Sequence, residues 1–404
     1  MLFHLSWIPE LGINISGGIT FFSAYFSIVA IFLLGISFYA ASPYTRGGWY
    51  RFAMIIAVFS VIGTLLMDSV FIFFLCWESA VLASFFAVWT SAKNQNATAS
   101  TLRFILMSSF GSLMMFVGLL IVYLHLPPAL PFNFSSFYAS GLDLYSRAFV
   151  LLLFIIGIGI KLPLFPLHNW QAKFYDDSHS DSLIIIAGLV SKLGLIAIMT
   201  LFIPIAIPFS DFWQTPILFT LLFSSLYAAV IALKQKQNKR KMAFISMSHI
   251  GIMAIGFLLL KKDAISGTLI MMLSHALLMG LLFFVLQSSR RSKLLSSALF
   301  VTVFGIIAFP FTAGFVGEFL ILKSLFSFNL LMAIIALLIN LISGWVMLEW
   351  YKHTAFPEGT NQGRIGESII AGILVLLILG IGIFPNIILQ HIQPLAQSIL
   401  GTTL

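Results

Sequence analysis

Six ionisable residues sit inside long apolar stretches of this chain. They are Glu78 in FFLCWESAVLASFF, Lys161 in FIIGIGIKLPLFPLHNW, Lys192 in IIIAGLVSKLGLIAIM, His249 in FISMSHIGIMAIG, His275 in LIMMLSHALLMGLL and Glu318 in FTAGFVGEFLILK. A charge at the centre of a bilayer costs about 2.5–3.5 kcal/mol on insertion scales, so such residues face a protein interior or a water-filled path. The types present suit proton transfer. Desolvation pulls a lysine's pKa down toward neutrality, a nearby carboxylate pushes it back up, and histidine titrates near neutral pH already. A path of Lys, His and Glu bridged by water therefore moves protons without a metal or an organic cofactor. Each residue alone also has a plainer reading: snorkelling for either lysine, a hydrogen-bonded core histidine for His249 or His275, a structural ion pair for Glu78. Six together are what an ion or proton pathway predicts directly.

The elements that must position these residues follow from composition. The 404 residues are 60% hydrophobic and only 8% charged, against about a quarter charged in an ordinary soluble domain. This predicts an all-α, polytopic transmembrane helix bundle, because apolar stretches of about 18–25 residues, each long enough to cross the hydrocarbon core, recur throughout. Twelve helices are expected, at 20–42, 51–66, 69–91, 102–124, 147–166, 182–205, 214–233, 242–260, 266–288, 295–326, 328–351 and 367–389. Sorting lysines and arginines by alternate loops puts fifteen on one side, among them the cluster KQKQNKRK, and four on the other (Arg147, Lys261, Lys262, Lys323). The basic side is then cytoplasmic and both termini face away from the cytoplasm, with a bacterial inner membrane as the expected location. Lys161 and Lys192 belong to neither count, because they fall inside helices.

Two helices should be broken: the fifth at Pro163 and Pro166, and the tenth at Pro310 and Gly314. Prolines free backbone carbonyls that water can solvate in a cavity, and broken helices at mid-membrane mark transporters. Helices two to six (51–205) and seven to eleven (214–351) form two blocks of five, each with its fourth helix broken, as an inverted repeat predicts. Residues 1–50 add an N-terminal segment and first helix, and 352–404 a cytoplasmic loop and last helix. The start of the chain lacks the features of a signal peptide. Cys76 has no partner for a disulfide or a metal site. With no Cys cluster, phosphate loop or dinucleotide fingerprint, the chain is expected to hold no metal, no redox centre and no cofactor. The surplus of positive charge is a loop bias and not a nucleic-acid surface.

In their order, FFLCWESAVLASFF, GIKLPLFPLHNW, IIAGLVSKLG, NKRKMAFISMSHIGIM, MMLSHALL and GFVGEFLIL resemble the proton-pumping antiporter-like subunits of respiratory complex I and of the related cation/proton antiporters. The resemblance covers essentially the whole chain. It implies that Glu78 pairs with Lys161 on the first broken helix, that Lys192 is the central relay lysine, and that His168, His249 and His275 lie along a hydrophilic axis. Glu318 matches the terminal residue of the second broken helix, which is glutamate in the subunit M branch and commonly lysine elsewhere. The resemblance also implies two further helices ahead of the first one read here, so the sequence begins where the family's third would. After HNW, the family's acidic, Pro-Thr-containing stretch is replaced by QAKFYDDSHSDS, which carries Asp176, Asp177, His179 and Asp181.

The expected function is that of a proton-moving membrane subunit within a larger, complex I-like assembly of membrane subunits, with NADH and quinone handled by other chains. Two other readings stand beside it. One is a subunit of a monovalent cation/proton antiporter, with sodium as a possible coupling ion, or of a proton-driven inorganic-carbon uptake complex. The other is a structural membrane subunit that conducts nothing.

Overall fold

A helix that is apolar around its whole circumference must be covered by lipid or by other helices. The computed structural model describes residues 3–92, 94–127, 130–288, 293–354 and 364–401, and it uses both covers. The chain opens on an antiparallel hairpin, β1 (Phe3–Ile8) and β2 (Ile13–Gly17), so the expected all-α bundle carries one β element. Its signal is present in HLSWIPELGINIS: two short alternating runs around Pro9 and Gly12, with Gly12 at φ 64° in the left-handed region that glycine tolerates.

The helices follow: α1 (Phe21–Tyr39), α2 (Gly48–Leu66), α3 (Val70–Thr90), α4 (Gln95–Leu124), α5 (Leu144–Lys161) and α6 (Gln171–Asp177). Next come α7 (Ser180–Gly188), α8 (Leu193–Ala197), α9 (Ile203–Ala206), α10 (Ser210–Lys234), α11 (Asn238–Leu258) and α12 (Lys262–Gln287). The last are α13 (Lys293–Ile306), α14 (Ala313–Phe326), α15 (Leu330–Thr354), α16 (Ile365–Ile383) and α17 (Asn386–Gly401). Polar side chains at the membrane surfaces start several of them. Thr20 and Ser23 form a reciprocal capping box on α1, and Asn94 and Asp143 accept the backbone N–H groups of Ala97 and Ser146 at the starts of α4 and α5.

The twelve predicted spans correspond to α1 to α5, the α7–α9 run, α10, α11, α12, the α13–α14 pair, α15 and α16. The hairpin and α17 are additions. Ile388, Ile392 and Ala396, four residues apart, bury one stripe of α17, which packs on α12 and α1. At the centre stand the α7–α9 run, α11 and α12, buried along almost their whole length, whereas α16 leaves most of its surface open for lipid. Both breaks form near the predicted positions, between α5 and α6 and between α13 and α14. The second passes through Ala308 and Phe311, both with positive φ.

In each predicted block the third helix crosses the broken fourth on a pair of glycines. A Cβ on Gly157 of α5 would lie 2.5 Å from the carbonyl oxygen of Gly111 on α4; one on Gly317 of α14 would lie 2.7 Å from that of Gly267 on α12. Only hydrogen at these positions lets the backbones touch. The crossings fix Lys161, one turn beyond Gly157, and Glu318, the residue after Gly317.

Alternate loops also meet in space. The segment before α1, the α2–α3 turn and the α4–α5 connection are joined by Asp68 N–H to Ser16 O at 2.9 Å and by the bridge between Ser69 and Asn133. Lys323, in the last turn of α14, and Asp263, in the first turn of α12, form an ion pair at 2.8 Å at helix ends predicted to share that side. On the opposite, basic side, Arg240 pairs with Asp176 at 2.9 Å. Three basic residues used in the charge sorting, Lys93, Arg290 and Arg291, lie outside the described residues.

Candidate functional site

The sixth predicted helix is not continuous, and that is where Lys192 sits. After α7 the backbone departs from helical geometry at Leu189 (φ −120°, ψ −58°). It then makes a 3-10 turn over Val190–Lys192, the short α8, and a π turn over Ile198–Phe202. Such interruptions change the direction of side chains and release carbonyls from the helical ladder. The Lys192 side chain, fully buried, turns back to donate to the Ala187 carbonyl at 2.6 Å and to Ser191 Oγ at 3.1 Å. It also contacts His275 Nδ1 on α12 at 2.7 Å. With Lys192 as the donor, His275 carries its own proton on Nε2, which faces Ser246 Oγ of α11 at 3.4 Å. The ring of His249 lies 6.2 Å from that of His275, one turn beyond Ser246 on α11. Three of the six predicted residues are thus brought together.

Lys161 closes α5, and Gly194 presses the Lys192 run against Leu162, the next residue, where a Cβ would meet that side chain at 2.6 Å. The Lys161 ammonium is buried with no hydrogen-bond acceptor among the described residues. It lies 5.4 Å from the Trp77 ring centroid and 5.8 Å from that of Phe104. Among the described residues Glu78, the residue after Trp77, forms no ion pair with Lys161, and its Oε1 is buried without a hydrogen bond. The implied pairing is therefore not a direct contact in this structure.

The break beyond Lys161 differs from the expected water-solvated gap. Trp170 Nε1 donates to the Ile160 carbonyl at 3.1 Å, and Phe165 N–H donates to Ser224 Oγ at 2.9 Å, so side chains take the backbone groups there. His168 lies in this break, buried among the rings of Phe165, Tyr227 and Phe244, with Nδ1 unpartnered among the described residues. It does not contact the Lys192 cluster. Glu318 is buried near the second break and makes no hydrogen bond or ion pair with a described residue. Ser274, the neighbour of His275, faces that break: its Oγ lies 3.7 Å from where a Cβ on Gly314 would stand, and it too is unpartnered.

Polar groups tie the QAKFYDDSHSDS segment to its surroundings. Asp181 is fully buried. Its carboxylate accepts from Thr45 Oγ1, from Ser42 N–H at 2.9 Å and from Ser182 N–H at 3.0 Å. His179 joins Ser42 Oγ at 3.4 Å to the Ser91 carbonyl at 3.0 Å. Lys239 donates to the Ser178 carbonyl, tying the segment to the start of α11. Sequence reasoning missed this cluster, the interruption at Lys192, and Ser246. The last had a legible signal, since Ser246 and His249 are three apart and share a helix face.

Comparison with known proteins gives the family and the fold. Residues 67–343 match the family described as NADH:quinone oxidoreductase/Mrp antiporter, TM. The chain is 23% identical to NADH-quinone oxidoreductase subunit M of Rickettsia felis, over 98% of this chain and 85% of that protein. Its fold superposes on a chain of respiratory complex I from Thermus thermophilus with bound NADH at a TM-score of 0.87 and 23% identity, covering 99% and 89% of the two chains. It superposes on a chain of the Mrp complex from Dietzia sp. at 0.84 and 17% identity, covering 98% and 86%. With a family match across more than half of its length and, among the described residues, ten helices apolar and long enough to cross a bilayer, this integral membrane protein belongs to the NADH:quinone oxidoreductase/Mrp antiporter transmembrane family.

Proposed function

We propose that this chain is a proton-translocating membrane subunit, of the subunit M type, in a multi-subunit complex resembling NADH:quinone oxidoreductase. The observation that carries the reading is the 2.7 Å contact between Lys192 and His275 in a fully buried site. Lys161 and Glu318 stand at the two helix breaks as the ends of the relay. A proton on Lys192 can pass to His275 Nδ1 while another leaves from Nε2, because imidazole holds protons at two nitrogens. Glu78 sets how readily Lys161 keeps its charge, so displacing the Glu78 charge loads or unloads that lysine. In this reading the chain holds no cofactor or redox centre. Electron transfer takes place in other chains, with NADH and quinone as substrates of the whole assembly. The loop bias supports a bacterial cytoplasmic membrane with both termini on the outer side.

The test is proton pumping by the assembled complex in vesicles. Lys161→Ala, Lys192→Ala and Glu78→Ala should each abolish it while assembly survives, and unchanged pumping in all three sinks the reading. The likeness to the Mrp complex chain favours a second reading, a monovalent cation/proton antiporter subunit. Sodium-dependent transport without electron flow would decide for it; co-purification with quinone-reducing and iron–sulfur subunits would decide for the first.

A further inference from the structure

His275 uses both ring nitrogens, and only one of them points along the predicted relay. Nδ1 meets Lys192 at 2.7 Å; Nε2 faces Ser246 Oγ at 3.4 Å. Ser246 is fully buried on α11, and beside it stands the hydroxyl of Tyr175, which also faces Gln171 without a formed hydrogen bond to either. Tyr175 is 1% exposed and its ring packs edge-on against Phe283 of α12 at 6.1 Å. A buried hydroxyl without a partner is a costly group, about 1–3 kcal/mol, and asks for a reason.

The place of α6 supplies one. This short helix lies at the basic face, where Asp176 pairs with Arg240 and Lys173 with Asp177, each at 2.9 Å. Tyr175 is next to Asp176 in sequence but turned inward. The loop exchanges charge with the aqueous phase on one side of α6 and presents a phenol to Ser246 on the other.

We propose that Tyr175 and Ser246 form a lateral branch that passes protons from the basic face to His275 and so to Lys192, an inference that rests on the proton-transfer reading above. A phenol keeps its proton at neutral pH, so Tyr175 works by exchange. With the His275 proton on Nδ1, the other tautomer from the one that accepts from Lys192, the Ser246 O–H donates to Nε2 while Nδ1 passes its proton to a neutral Lys192 amine. The Tyr175 O–H then reprotonates Ser246 Oγ, and a hydronium ion from the basic face reprotonates Tyr175 on the side of Gln171. Each step breaks one O–H or N–H bond and forms another, and the hydronium ion is the reactant consumed. The route bypasses the break at Pro163 and Pro166, which side chains fill, and it runs through the segment in which the chain departs from the family pattern.

The experiment compares proton translocation by the assembled complex in vesicles. Tyr175→Phe keeps the ring against Phe283 and removes only the hydroxyl; translocation should fall about 100-fold, the low end of what a positioned proton donor contributes. Ser246→Ala should do the same, and Ser246→Thr should restore the rate. A packing role for Ser246 predicts the opposite order, since threonine is the larger residue in a filled site. Wild-type rates in both Tyr175→Phe and Ser246→Ala, with Lys192→Ala silent, overturn the branch and leave the relay standing. A Lys192→Ala variant that pumps like the wild type overturns the relay itself.

Discussion

Two buried lysines in one chain are held in different ways. Lys192 has two oxygen acceptors and an imidazole around its ammonium, so the protein takes the place of its hydration. Among the described residues the Lys161 ammonium has only the faces of Trp77 and Phe104, each such contact being worth about 0.5–2 kcal/mol. Lys161 is therefore the lysine whose ammonium the surrounding groups compensate less. Asp181 is a buried charge of another kind, fixed by donors alone. Asp181→Ala leaves Ser42 N–H, Ser182 N–H and the Thr45 hydroxyl without their acceptor. It should cost about 1–3 kcal/mol and speed hydrogen exchange at residues 42–46; unchanged exchange there means the carboxylate does not hold the loop. Asp68, half-buried in the α2–α3 turn, has its carboxyl pKa raised by burial. The folded state then binds its proton more tightly than the unfolded chain, so this group's contribution to stability falls as pH rises from the unfolded pKa through the folded one. Asp68→Asn should flatten the pH dependence of thermal unfolding as the pH rises above the ordinary aspartate pKa of about 4; an unchanged slope refutes the assignment.

At the scale of elements, the glycine crossings do what side-chain contacts cannot. They bring α4 to α5 and α12 to α14 until backbones touch, and a residue one turn or less beyond each crossing becomes a relay end. Gly317→Ala forces a Cβ to within 2.8 Å of Met271 Cβ and 2.7 Å of the Gly267 oxygen, so α14 must shift. The cost should be about 1–3 kcal/mol in thermal stability, and proton pumping should drop because Glu318 moves with the helix. Gly372→Ala on α16, where nothing lies within 4 Å, is the control and should be neutral or slightly stabilising. Equal effects of the two substitutions would show that the crossing is not under constraint. The fifth helix was read as ending at a water-filled gap because proline frees carbonyls. The structure instead gives the Ile160 carbonyl to an indole and the Phe165 N–H to a serine, partners that come from ten and fifty-nine residues away in the chain.

At the scale of the whole molecule, the sorting of charges predicts which loops share a face, and loops placed together by that sorting do touch. In a background with Cys76 replaced, Lys236→Cys and Lys262→Cys should label with a membrane-impermeant thiol reagent from opposite sides, Lys236→Cys from the cytoplasm; labelling from one side removes the topology. The number of spans, the burial of five of the six predicted ionisable residues, with Glu78 partly buried, and the existence of both breaks were legible in the sequence, because the transfer cost of a charge and the missing N–H of proline are properties of single residues. The hairpin at residues 3–17 was missed since two short strands carry little signal beside twelve apolar helices, and the interruption at Lys192 since VSKLGL has no breaker but Gly194. Only the tertiary structure decided which of the six residues meet. Lys192 and His275 are eighty-three positions apart and touch, whereas Glu78 and Lys161 share a region without pairing. Apolar periodicity says that a helix is buried and not against which neighbour; that choice is made by helix crossings, where glycine pairs such as Gly267 and Gly317 are recognised only once both backbones are in place.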